Sequence, residues 1–79
     1  MDLIDRLLEA LVDGKEHSFY ELDTGCLSRV RTTKIIVLVE FLSEFGFVEV
    51  KRDELNFILT VKAVPRVVEF LKKMRGDRW

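Results

Sequence analysis

Cysteine and histidine are almost missing from this chain: Cys26 and His17 are the only examples of each. A lone cysteine closes no intramolecular disulfide, so nothing asks for an oxidising compartment, and a cytoplasmic location is expected. One His and one Cys fall short of a structural zinc set or of the thiolate pairs of metal-sensing proteins, so neither a metal nor a cofactor is expected. The four glycines never cluster into a phosphate-cradling loop, and no nucleophile stands beside a base in a recognisable pattern. The acids fall at solvent positions of helices in a domain too small for a deep cleft, so the chain does not read as an enzyme. Tyr20 and Trp79 are isolated aromatics, which gives no stacking platform for single-stranded nucleic acid. The longest apolar run, residues 35–39, is far too short to span a bilayer. The start Asp2-Leu3-Ile4-Asp5 has no basic stretch of the kind that opens an export signal, so no membrane association is expected. Glutamine is absent and Asn56 is the sole amide side chain, against abundant Lys, Arg and Glu, a balance that leans toward a thermophile.

What is present is charge, at 34% of residues but with a formal net value of -1. That excludes a histone-like polycation, and any contact with nucleic acid must come from a local patch. The charge is also uneven. The first 25 residues carry Asp2, Asp5, Glu9, Asp13, Glu16, Glu21 and Asp23 against Arg6 and Lys15, whereas from Ala63 onward Arg66, Lys72, Lys73, Arg75 and Arg78 outnumber Glu69 and Asp77. The domain has an acidic end and a basic end. At 79 residues it forms one domain over residues 1–79, with a single core burying about 60% of its unfolded surface.

Hydrophobic periodicity sets out the elements. Leu3, Ile4, Leu7, Leu8, Leu11 and Val12 recur at helical spacing, predicting a helix over residues 2–13 that Gly14 ends. Ser18-Phe19-Tyr20-Glu21 has the form of a capping box, so a second helix starts there. Its end is open: Thr24-Gly25 can stop it, or Gly25 can be a close-packing position with the break at residues 29–31. A third helix runs to Phe45, with Gly46 as its terminator and Ile35, Leu38, Val39, Leu42 and Phe45 on its packed face. Thr33, Ile36, Val37, Glu40 and Glu44 point the other way.

After Gly46 the period switches to two. Residues 47–51 read as a strand, residues 52–54 as a polar turn and residues 56–61 as a second strand, making a hairpin. Pro65 suits the first turn of a last helix striped by Val64, Val67, Val68, Leu71 and Met74, and residues 76–79 read as a frayed tail.

Three helices, a two-stranded hairpin and a closing helix, an α+β arrangement, resemble the winged helix-turn-helix family of small archaeal and bacterial transcription regulators. The most specific piece is FLSEFGFVEVKR, residues 41–52, which is similar to the family's L-x-x-L-G-L-V-x-x junction between recognition helix and wing. Counting back, the family pattern puts a small residue at Gly25, a turn at residues 29–31 and a core aliphatic at Ile35. The family usually carries glycine in that turn, where this chain has Arg29, which leaves the start of the third helix open by several residues.

The resemblance implies binding of double-stranded DNA, with the third helix in the major groove and the wing on the neighbouring backbone. The matching positions hold Arg29, Arg31, Thr32, Thr33 and Lys34 at the start of the helix and Lys51 and Arg52 on the wing. Arg and Lys neutralise phosphates, and Thr32 and Thr33 suit a phosphate oxygen or a thymine methyl. Farther along, however, Ile36 and Val37 offer only apolar contact, Glu40 and Glu44 repel phosphate, and Asp53 and Glu54 offset the wing pair. Phosphate contacts with modest sequence specificity are therefore expected.

Apolar residues on the outer face of a helix also mark interfaces. Ile36 and Val37, with Phe41, suit a protein partner, so a winged-helix protein-interaction module is the alternative function. In the last helix Phe70 falls off the core stripe. A homodimer through Val67, Phe70, Leu71 and Met74 is expected, two-fold pairing of terminal helices being common in the family.

Overall fold

The structure, a computed structural model, describes residues 3–25 and 27–78, with side chains as far as Met74. Cys26 and Trp79, and the side chains of Arg75 and Arg78 counted in the basic end, lie outside the described residues.

Helix α1 (Leu3–Ala10) continues as tighter turns to Gly14, through bonds from Leu11 N to Leu7 O and Leu8 O, from Val12 N to Glu9 O and from Gly14 N to Leu11 O. The regular helix therefore stops three residues before the expected end while its fully buried pair, Leu7 and Leu11, keeps the helical spacing. Gly14 has φ +73, the left-handed geometry that favours glycine, and Val68 of the last helix would lie 3.5 Å from a Cβ there.

The strand count differs from the expected hairpin. His17 and Ser18 form a short strand β1, so among the described residues the fold is α+β with four helices and three strands rather than two. Two residues are too few for an alternating pattern to register, and Ser18 serves two roles. Its extended backbone (φ -67, ψ 140) ends β1 while its Oγ accepts from Glu21 N at 3.0 Å to cap helix α2 (Phe19–Thr24). The Glu21 carboxylate, expected to bond back to the Ser18 amide, lies 3.9 Å from Nδ1 of His17.

Gly25 ends α2. Its backbone (φ -100, ψ -107) would place any Cβ 2.6 Å from the Glu21 carbonyl oxygen, so the open choice resolves in favour of a stop. A turn around the fully buried Leu27 follows, with Leu27 N on Leu22 O and Val30 N on Leu27 O. Arg31 then starts helix α3 (Thr32–Glu44) as its N-cap, with ψ 136.

Ile35, Val39 and Leu42 of α3 are buried and Leu38 partly so. Phe45, expected on the same face, is exposed instead: it is the C-cap, at φ -85 and ψ 1, where the helical spiral has ended. Gly46 (φ +75) completes the stop by donating to Ser43 O while Phe47 N donates to Leu42 O, the paired bonds of a Schellman motif.

Strands β2 (Val48–Arg52) and β3 (Ile58–Ala63) pair antiparallel from Val48↔Ala63 to Lys51↔Thr60, with a register shift before Arg52↔Ile58. Strand β1 adds His17↔Val61 and Ser18↔Thr60, giving the order β1-β3-β2. The hairpin loop is longer than the expected polar turn because Asp53 and Asn56 organise it. Asp53 Oδ1 accepts from the amides of Leu55 and Phe57, both at 2.9 Å, and Asn56 takes φ +69, which asparagine tolerates.

Helix α4 (Pro65–Arg78) opens with Pro65 in its first turn, where a missing amide costs nothing, and continues through Gly76. Of its described side chains only Val68 is buried, with Val67 packed against the core from outside. The core thus lies where Val48, Val61 and Ala63 of the sheet meet α1, α2 and α3.

Candidate nucleic-acid interface

The turn around Leu27 and the extended Arg31 bring the N-terminal end of α3 to the surface with Arg29, Arg31, Thr33 and Lys34 all exposed. Arg31 offers no side-chain cap, and Lys34 N and Ile35 N turn back to Arg31 O at 3.0 and 3.2 Å. Among the described residues the amides of Thr32 and Thr33 have no protein acceptor, so the positive end of the helix faces solvent. No ion pair among the described residues engages Arg29, Arg31 or Lys34.

The other three predicted contacts are engaged. The Thr32 hydroxyl donates to both carboxylate oxygens of Asp23, at 2.9 and 3.1 Å, and ties the start of α3 to α2. Lys51 Nζ lies 2.8 Å from Glu16 Oε1, which also accepts from the Thr60 hydroxyl at 3.2 Å. The ammonium beside Glu16 holds its carboxyl below the usual carboxylate range, and the carboxylate in turn raises the Lys51 ammonium. Arg52 Nη2 is 3.6 Å from Glu40 Oε1 on α3, and its Nη1 donates to Asn56 O at 3.2 Å. The two hairpin cations are thus spread over two places: Lys51 turns toward the segment leading into β1, and Arg52 turns toward α3.

These pairings span 35 residues for Lys51 and Glu16 and 12 for Arg52 and Glu40, and no local pattern reports them. Asp53 and Glu54, adjacent in sequence, are the expected acids offsetting Lys51 and Arg52. Asp53 instead uses its carboxylate on loop amides.

A second acid–base group lies beside the Lys51–Glu16 pair at β1, where His17 Nε2 is 2.9 Å from Asp13 Oδ1. That hydrogen bond, with a second from the Lys15 amide, lowers the Asp13 pKa. Among the described residues no group of three or more His, Cys, Asp or Glu side chains is placed to hold a metal ion, and no helix is long and apolar enough to cross a membrane.

The residues assigned to a dimer or partner surface behave differently from one another. Val37, Phe70 and Met74 are exposed, while Ile36, Val67 and Leu71 are half-buried. An open groove of about 420 Å³ is lined by Leu3, Thr33, Lys34, Val37, Leu38 and Phe41. The hairpin carries three further exposed apolar residues, Leu55, Phe57 and Leu59. The chain matches no protein-family model, no curated protein and no solved structure.

Proposed function

We propose that the chain is a winged helix-turn-helix domain that binds double-stranded DNA through the N-terminal end of α3, as a transcription regulator of the archaeal and bacterial kind. The order α1-β1-α2-α3-β2-β3-α4 supports the family reading, with the β2–β3 hairpin in the place of the wing. One observation carries the functional reading: Arg29, Arg31 and Lys34, unpaired among the described residues, surround the uncapped start of α3.

In this reading α3 enters the major groove by that end. Its free amides and the Thr33 hydroxyl donate to a phosphate, and the three cations neutralise its neighbours. Arg52 reaches the backbone only by leaving Glu40, and Lys51 only by leaving Glu16, so both contribute less than free cations would. Specificity is modest for one copy, because no side chain in this set makes a two-pronged contact with adenine and the basic side chains are engaged by phosphates.

A second reading, a protein-interaction module, draws support from exposed Val37 and Phe41 on the same helix. The two separate by mutation. Replacing Arg31 and Lys34 by Ala weakens duplex binding by about 1 kcal/mol or more per lost charged contact under the first reading. Ile36→Asp with Val37→Asp abolishes capture of a protein partner under the second, while the arginine and lysine changes leave that capture intact.

A further inference from the structure

Val37, Phe41, Phe45 and Phe47 make one continuous apolar strip. The rings of Phe41 and Phe45 have centroids 4.8 Å apart, and those of Phe45 and Phe47 stack at 6.2 Å. Val37 and Phe41 share a wall of the groove beside α1. At the other end the strip reaches α4, where Arg66 Nη2 donates to Gly46 O at 3.3 Å, between Phe45 and Phe47. Phe70 stands one turn beyond Arg66 on the same side of α4. These residues remain 65% (Val37), 53% (Phe41), 58% (Phe45), 41% (Phe47) and 61% (Phe70) exposed. Single exposed leucines are ordinary, but a run of four half-exposed phenylalanines in so small a domain is not.

We infer that this strip is the seat of a second copy of the chain, paired across a two-fold axis. The area fits. With each ring leaving about 100 Å² in water, the strip offers on the order of 500 Å² of apolar surface per copy, close to the apolar share of the ~800 Å² per partner that a stable homodimer buries. The charges fit as well. Exposed Glu44 flanks the strip on α3, and exposed Arg66, Glu69 and Lys73 flank it on α4. A border carrying both signs allows a two-fold axis to set acids of one copy against bases of the other.

The centre of the interface moves accordingly from α4 to the junction of α3 and β2, with α4 contributing Phe70. Arg29 and Arg31, at the opposite end of α3, stay in water. The inference goes beyond the DNA reading and does not depend on it.

Sedimentation equilibrium from about 5 to 200 µM protein tests the pairing. The wild type is expected to be a dimer over most of that range. Phe41→Asp with Phe45→Asp weakens self-association by about 100-fold or more, and so does Phe70→Glu on a different element, each with a wild-type far-ultraviolet circular dichroism spectrum. Leu55→Asp, on the hairpin away from the strip, still dimerises. A wild type monomeric throughout overturns the inference, as does a folded strip variant that remains dimeric, or a Leu55→Asp variant that alone dissociates. Arg31→Ala dimerises like the wild type, so failure of DNA binding leaves this measurement intact.

Discussion

Arg52 on β2 reaches across to Glu40 on α3, with Nη2 3.6 Å from Oε1. The contact joins the hairpin to the helix proposed to enter DNA, and under that proposal the Glu40 carboxylate competes with phosphate for Arg52. Glu40→Gln removes that competitor and keeps the side chain's length. Duplex affinity is expected to rise, by up to about 1 kcal/mol as befits a partly exposed pair, with a salt slope steeper by about one phosphate. Anisotropy titrations of wild type and variant side by side measure both; an unchanged slope means Arg52 never reaches the backbone.

Glu16 and Lys51 make stability depend on pH at both ends. The Glu16 pKa is lowered from 4.5 by folding, so its contribution is present above pH 4.5 and disappears as pH falls through the lower folded value. The Lys51 pKa is raised from 10.5, so its contribution is complete below pH 10.5 and disappears as pH rises through the higher folded value. Asp13, lowered by His17, adds to the acid side. Glu16→Gln should flatten the fall of Tm on acidification; an acid limb identical to the wild type would assign it to other carboxylates.

Gly25 admits no side chain because its Cβ would lie 2.6 Å from a carbonyl oxygen of its own helix. Gly25→Ala is expected to cost about 1–3 kcal/mol as the α2 terminus rearranges. Gly46→Ala, strained by φ +75 with Arg66 Nη2 3.5 Å from the new Cβ, costs about 1–2 kcal/mol. Denaturant unfolding measures both, and Gly25→Ala at wild-type stability contradicts the geometry.

Ser18 links β1 to α2, so Ser18→Ala removes the α2 cap at an expected cost of about 1 kcal/mol. Thr32→Ala loses the bond to Asp23 instead, loosening the start of α3. Amide hydrogen exchange then distinguishes them: the first raises exchange in α2, the second at Lys34 and Ile35, whose amides donate to Arg31 O.

How far the sequence carries depends on the range of the interaction concerned. The stop at Gly46, the Ser18 cap, Pro65 in a first turn and the buried Ile35, Val39 and Leu42 are local or periodic, and each is readable from neighbouring residues. Strand β1 is invisible because two residues carry no alternation and its existence depends on β3, more than forty residues on, as the pair Ser18↔Thr60 shows. Phe45 departs from the helical face because it is the C-cap, one residue beyond the last helical turn. The pairing of Lys51 with Glu16 and of Arg52 with Glu40 depends on tertiary approach, so the sequence does not show which acids the two hairpin cations meet. The cations at the start of α3 were legible because a helix start and its flanking charges are adjacent in the chain.

In the proposed function the cations at the start of α3 neutralise DNA phosphates. The most direct test is fluorescence anisotropy of a labelled random duplex of about 20 base pairs, titrated with wild-type protein through a salt series. The account predicts binding whose log affinity falls against log salt with a slope of roughly -3, reduced by about one for each of Arg31→Ala and Lys34→Ala. Absence of binding at about 50 mM salt, or a slope indifferent to both substitutions, would contradict it and favour the protein-interaction reading.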